Sequence, residues 1–123
     1  MTEPVIGFAG LTHLGLTSAA ASAARGFRTV GYDADQRLIA ALKAGELPLT
    51  EPGLGELLAA NRRRLEFSAD PGALTRADVV FVAADVPTDD AGRSDLGPIL
   101  DLCARAAGGL KDGAVLVILC QVP

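Results

Sequence analysis

Tryptophan is absent, and Phe, Tyr and Trp together make up 4% of the 123 residues. A base-stacking surface needs aromatic platforms, so none is expected, and the core must be built from aliphatic side chains and alanine. Such a composition favours close packing of helices on a sheet. Positive charge is also in short supply: 11 Lys and Arg stand against 15 Asp and Glu, a net charge of −4. Nucleic-acid clamps and binders of anionic membranes use a basic face, and this balance argues against both. Only two cysteines occur, Cys103 and Cys120, each in an apolar segment with no Cys or His at metal-ligand spacing. They predict reduced thiols, no metal site and a cytoplasmic protein. Long apolar runs are missing as well. The stretch after Met1-Thr2-Glu3-Pro4 is broken by Gly7, Gly10 and Gly15, and Glu3 stands where a signal peptide carries a basic residue, so neither secretion nor membrane insertion is expected.

What is present is an alternation of short apolar runs and helical patterns. Val5 to Ala9 reads as a strand stopped by Gly10, and the Ala-rich, proline-free segment Leu14 to Ala24 as a helix that Gly26 ends. Phe27 to Tyr32 forms the next strand, and Leu38, Ile39, Ala41 and Leu42 keep helical spacing in a helix from Asp35 to Ala44. After a loop with two prolines, Leu54, Leu57 and Leu58 mark a short helix ending near Asn61. Arg62-Arg63-Arg64 then reads as a solvated turn, in preference to a phosphate patch, before a strand at Leu65 to Ser68. Asp70 and Pro71 read as the N-cap and first-turn pair of a one- or two-turn helix ending near Thr75. Val79 to Ala83 has the unbroken apolarity of a parallel strand covered on both faces. A polar loop over Ala84 to Ser94, a helix from Leu96 to about Ala107 and a last strand from Ala114 to Leu119 complete the chain. The economical architecture is a single-domain α/β fold, a Rossmann-like open parallel sheet with helices on both faces.

In such a sheet, ligands sit beyond the carboxyl ends of the strands where the strand order reverses. The residues after the first strand are Gly10-Leu11-Thr12-His13-Leu14-Gly15, with the spacing of a dinucleotide fingerprint but Thr12 in place of its middle glycine. Gly10 permits the tight turn and Gly15 the close contact of helix and strand, while the N–H groups opening the helix face a pyrophosphate. A Cβ at Thr12 either pushes the pyrophosphate outward or brings a hydroxyl within reach of it. Asp33, at the end of the second strand, stands where the fingerprint places an acid on the adenosine ribose hydroxyls, and its charge disfavours a 2′-phosphate, so NAD is expected over NADP. The plainer alternative is that Gly10 and Gly15 serve only turn and packing while Asp33 caps the second helix.

Over about Val5 to Pro123 the chain resembles the N-terminal NAD-binding domain of the UDP-glucose/GDP-mannose dehydrogenase family. The resemblance rests on the glycine turn and Asp33, on Ala44-Gly45-Glu46, Glu51-Pro52-Gly53-Leu54 with Glu56-Leu57-Leu58, and Ala77 to Phe81. It continues through Pro87, Gly92-Arg93-Ser94-Asp95-Leu96 and Val122-Pro123. It implies enzymes that oxidise the C6 hydroxyl of a nucleotide sugar to a carboxylate in two NAD-dependent steps, through a thiohemiacetal on a cysteine. Neither Cys103 nor Cys120 matches that cysteine, so no catalytic residue is assigned to this chain. The catalytic and sugar-nucleotide groups are expected in later parts of family members.

Departures from the family pattern cluster at the cofactor positions. Thr12 replaces a glycine, Asp85-Val86-Pro87 stands where the family has Gly-Thr-Pro, and Cys120-Gln121-Val122-Pro123 where it has Ser-Thr-Val-Pro. The resemblance makes Val86 and Gln121 the counterparts of two cofactor-touching threonines. Asp85 brings negative charge near the pyrophosphate or nicotinamide ribose; at ~6 Å and an effective dielectric near 20 the repulsion is about 2–3 kcal/mol, one or two decades in affinity. His13 is weighed as a phosphate or ribose donor against a tolerated surface residue, and Arg37 as a ribose or phosphate contact against an exposed helix arginine. Two functions follow: the cofactor domain of a nucleotide-sugar dehydrogenase, or a degenerate or stand-alone module with weak or no nucleotide binding that acts in interactions. Pairing of two copies is possible in either case.

Overall fold

The computed structural model describes residues 3–47, 51–83 and 97–119. Five four-residue strands, β1 (Ile6–Ala9), β2 (Thr29–Tyr32), β3 (Leu65–Ser68), β4 (Val79–Val82) and β5 (Val115–Ile118), form one sheet of order β3-β2-β1-β4-β5. All pairings are parallel. The order reverses at β1, so the gap between the carboxyl ends of β1 and β4 is the switch point at which such sheets hold ligands.

Among the described residues four helices connect the strands: α1 (His13–Ala24), α2 (Gln36–Lys43), α3 (Leu54–Ala60) and α4 (Gly97–Gly108), with 3₁₀ turns at Arg62–Arg64 and Pro71–Arg76. The expected elements are present, most of them a residue or two shorter than their apolar runs. Asp35 lies just outside its helix because its carboxylate serves as the cap, accepting from the N–H groups of Arg37 and Leu38, and Asp70 is the expected cap, accepting from that of Gly72. Pro71–Arg76 is 3₁₀, a tighter coil suited to so short a connector. The polar loop expected over Ala84 to Ser94, and residues 95–96 and 120–123, lie outside the described residues.

Strand alternation divides the core into two layers. On one face Ala9, Val30, Tyr32, Val80 and Val82 pack with Leu74, Ala77, Ile99 and Ala106. On the other, Phe8, Leu11 and Leu16 pack with Ala19, Ala20, Ile39, Leu42 and Leu54. Phe8 and Phe81 are register partners whose rings stack with centroids 5.4 Å apart. Alanine on the inner side of α1 lets its axis come close to the sheet: Ala19, Ala20 and Ala23 are fully buried. Gly31 sits between Phe8 and Phe67 in the register, and a Cβ there would lie 2.9 Å from the Phe67 ring and 3.1 Å from the Leu11 side chain. The missing side chain makes the space in which Leu11 anchors the turn after β1.

Candidate functional site

The chain leaves β1 at Gly10, whose φ of +95° is a conformation that L side chains rarely adopt. A Cβ on Gly10 would lie 2.7 Å from the Ala83 carbonyl oxygen, and one on Gly15 would lie 1.9 Å from the Gly10 carbonyl oxygen. Both glycines are therefore demanded by backbone approaching backbone. Leu11 follows, its side chain buried in the core and its N–H donated to Asp33 Oδ2 at 2.9 Å.

Thr12 takes a role that its sequence position alone does not reveal. Its backbone is extended, φ −68° and ψ −179°, and it is the N-cap of α1: Oγ1 accepts from the Gly15 N–H at 3.3 Å and donates to the Ala83 carbonyl at 2.8 Å. The hydroxyl proton is thus spent within the protein, tying the glycine turn to the end of β4, and the phosphate bond considered from the sequence has no donor in it. Of the four N–H groups that a helix start leaves open, that of Gly15 is taken by this cap, and the regular helix bonds begin with the Leu16 N–H on the Thr12 carbonyl at 2.8 Å. The N–H groups of His13 and Leu14 have no partner among the described residues, and both side chains are exposed.

Asp33 is held beside this helix start. Its N–H extends the β2–β3 ladder to the Ser68 carbonyl at 3.2 Å, Oδ2 takes the Leu11 N–H, and Oδ1 takes the Asp35 N–H at 3.0 Å. The cap of α2 is Asp35, which overturns the plainer reading of Asp33 as that cap. An ionised carboxylate has about four acceptor sites, so two backbone bonds leave capacity for further donors on this half-buried group. Arg37 lies in the first turn of α2 with its N–H on Asp35 Oδ1 and its side chain exposed; no contact among the described residues joins it to the glycine turn. Asp85, Val86 and Gln121 fall outside the described residues.

Two participants escaped sequence reasoning. The Glu51 carboxylate, named from the sequence only as part of a segment that carries the family resemblance, meets His13 Nε2 at 3.0 Å and links the segment before α3 to the start of α1 across 38 positions. The Ala83 carbonyl anchors Thr12. Neither has a signal in the sequence, since one depends on tertiary proximity and the other on a backbone atom. Only the compact Glu51-Pro52-Gly53-Leu54 segment, with Gly53 at φ +81° opening α3, marked that place.

An open parallel sheet reversing at β1, with a glycine turn, unpartnered helix-start N–H groups and an acid at the end of β2, defines a dinucleotide-binding domain of the Rossmann type. Comparison with known proteins takes the identification further. Residues 5–123 match the sequence model described as UDP-glucose/GDP-mannose dehydrogenase family, NAD binding domain, and the chain belongs to that family. UDP-glucose 6-dehydrogenase of Rhizobium meliloti is 36% identical over 118 residues, covering 93% of this chain and 27% of that protein. GDP-mannose 6-dehydrogenase of Pseudomonas aeruginosa is 31% identical over 106 residues, 84% of this chain and 24% of that protein. Among solved structures, a UDP-glucose dehydrogenase from Pyrobaculum islandicum superposes with a TM-score of 0.91 at 27% identity, covering 99% of this chain and 30% of that one. The chain thus spans less than a third of the length of the relatives it matches, and the part it matches is the NAD-binding domain.

The residues present fit the adenosine half of NAD. The two helix-start N–H groups suit a pyrophosphate, and the Asp33 carboxylate with spare acceptor sites suits a ribose diol. No helix of the described residues is long and apolar enough to cross a membrane.

Proposed function

We propose that this chain holds NAD for a nucleotide-sugar 6-dehydrogenase that converts the sugar C6 hydroxyl to a carboxylate, with the catalytic and sugar-binding groups supplied by segments outside these 123 residues. The observation that carries the reading is the 2.9 Å bond from the Leu11 N–H to Asp33. It joins the glycine turn and the acid at one edge of the sheet, as a single adenine nucleotide requires. In this reading the N–H groups of His13 and Leu14 receive the pyrophosphate, Gly10 and Gly15 shape its approach, and Asp33 accepts from the ribose hydroxyls. Arg37 leans on that ribose or its phosphate from α2. Asp85, Val86 and Gln121 join the cofactor contacts in this reading through their correspondence to the family pattern alone. NAD, when bound, supplies the hydride acceptor; this chain's residues bind and orient it.

The same reading places the protein in the cytoplasm, in keeping with the reduced thiols expected from the sequence. It also allows two isolated copies to pair along β5, an edge strand on which Val115 and Ile118 are 54% and 52% exposed. Light scattering showing a monomer at high concentration would dispose of that pairing. Calorimetric titration of NAD into the chain tests the central assignment. Saturable heat is expected, at least tenfold weaker for NADP and lost in Asp33→Ala. Absence of heat and of any thermal shift at millimolar NAD would leave the interaction-module alternative standing instead.

A further inference from the structure

A concavity of about 710 Å³ opens at the amino edge of the sheet, the edge away from the glycine turn, and four arginines line it: Arg28, Arg62, Arg63 and Arg64. We propose that this cleft binds a small molecule carrying two or more phosphate groups.

The geometry begins with the sheet register. Thr29 and Leu65 are partners across β2 and β3, so Arg28 and Arg64, each one residue earlier, enter neighbouring strands side by side at a spacing of about 4.8 Å. Like charges on adjacent strands repel. Arg62 and Arg63 precede Arg64 in the 3₁₀ turn, and the same cleft takes in all three. The turn is fixed by Asn61, a nearly buried side chain whose Nδ2 donates to the Leu57 carbonyl at 2.8 Å and whose Oδ1 accepts from Arg64 Nη1 at 3.3 Å. The Asn61 N–H donates to the Leu58 carbonyl at 3.2 Å, so two carbonyls at the negative end of α3 are satisfied from within.

Among the described residues Glu3 is the only carboxylate lining the cleft, and none of the four arginines has an ion-pair partner there. Elsewhere on the surface Arg76 pairs with Glu66, Arg105 with Asp101 and Lys111 with Asp78. A chain of net charge −4 therefore concentrates cationic charge in one place without neutralising it. Guanidinium groups present several donors in a planar fork that matches phosphate oxygens, and more than one phosphate is needed to answer this many of them. The cleft has the size of a small-molecule site. The overall negative charge and scarcity of aromatics disfavour a nucleic acid there.

Sodium tripolyphosphate titrated into the ¹⁵N-labelled chain and followed by amide NMR shifts tests the assignment. Expected are saturable shifts at Arg28 and Asn61 to Arg64, weakening as salt rises, with inorganic phosphate at least tenfold weaker. Arg62→Gln with Arg63→Gln, both exposed and unpaired, is expected to lower tripolyphosphate affinity at least tenfold without changing the thermal midpoint; Arg76→Gln is expected to leave affinity within twofold. Shifts that are absent at millimolar tripolyphosphate, or that persist in the double variant, would overturn the proposal. So would tighter binding of a hexaglutamate peptide than of tripolyphosphate, which would mark the cleft as a dock for acidic protein segments. The NAD assignment stands or falls separately, because its shifts belong to residues 10–15 and 33 at the opposite edge.

Discussion

Replacing Gly15 by alanine sets two physical effects against each other. Judged as a helix residue alone, Gly15 in α1 should gain about 1 kcal/mol on becoming alanine, because alanine loses less backbone freedom. The tertiary structure reverses the sign. The new Cβ would lie 1.9 Å from the Gly10 carbonyl oxygen, about 1 Å inside the 3.0 Å limit of real Cβ contacts, and the obstacle is backbone that cannot rotate away. Forcing a methyl group into such a place costs typically about 1–3 kcal/mol, and the immovable neighbour puts this site at the upper end. The net expectation is a loss of about 2 kcal/mol. With an unfolding entropy of about 2.1 cal/mol/K per residue, that lowers Tm by about 8 °C for a chain of this length. The matched control is Gly108, the last residue of α4, where a Cβ meets nothing within 4 Å. Gly108→Ala should raise stability by about 0.5 kcal/mol. Both are measured by urea and thermal denaturation followed by circular dichroism. Gly15→Ala as stable as the parent would refute the close approach of α1 and the glycine turn, and with it the geometry of the cofactor site.

Further expectations concern the site and its surroundings. Thr12→Val removes the N-cap of α1 and the tether to Ala83 and should cost about 1–2 kcal/mol in urea denaturation, whereas Thr12→Ser should restore most of it; equal stability of the two variants would contradict the cap. Thr12→Gly, a cap substitution that costs only a few tenths of a kcal/mol, should tighten NAD binding in calorimetry by opening room for the pyrophosphate. Asp33→Asn places a donor amide against the N–H group of either Leu11 or Asp35, and calorimetry should find NAD binding weakened at least tenfold with the discrimination against NADP reduced. Asp78 is held below the usual carboxylate value of 3.8 by its bond to Lys111 and then by the Val5 N–H. A lowered folded-state pKa means that its contribution is complete above about pH 4 and fades as pH falls through the folded value. The urea midpoint of the parent should therefore drop more steeply below pH 4 than that of Asp78→Asn, and parallel profiles would remove Asp78 from the acid response.

Much of the fold was legible because each layer of it has a local cause. Leu65 to Ser68 coincides with its strand, and Val79 to Val82 needed only the loss of Ala83 at its end. Gly26 and Gly45 adopt the positive φ that ends the first two helices. The site was legible as a set of residue types in order, Gly10 to Gly15 and then Asp33, and as a family resemblance concentrated in short segments. The partners of those residues were not legible. A threonine in a glycine's place is equally compatible with binding a phosphate and with capping a helix, and the Ala83 carbonyl that decides between them is 71 positions away.

By itself the sequence determined the alternation of strands and helices, the aliphatic composition of two core layers and the type of cofactor an acid at Asp33 would favour. These follow from side-chain periodicity, backbone preference and charge, which act between near neighbours. The tertiary structure alone decided that Asp35 rather than Asp33 caps α2, that the Thr12 hydroxyl is turned inward, that His13 meets Glu51, and that an arginine run expected to be merely solvated shares a cleft with Arg28. Each of these depends on which distant segment arrives at the same edge of the sheet, and that is fixed by strand order and register, to which no local preference has access.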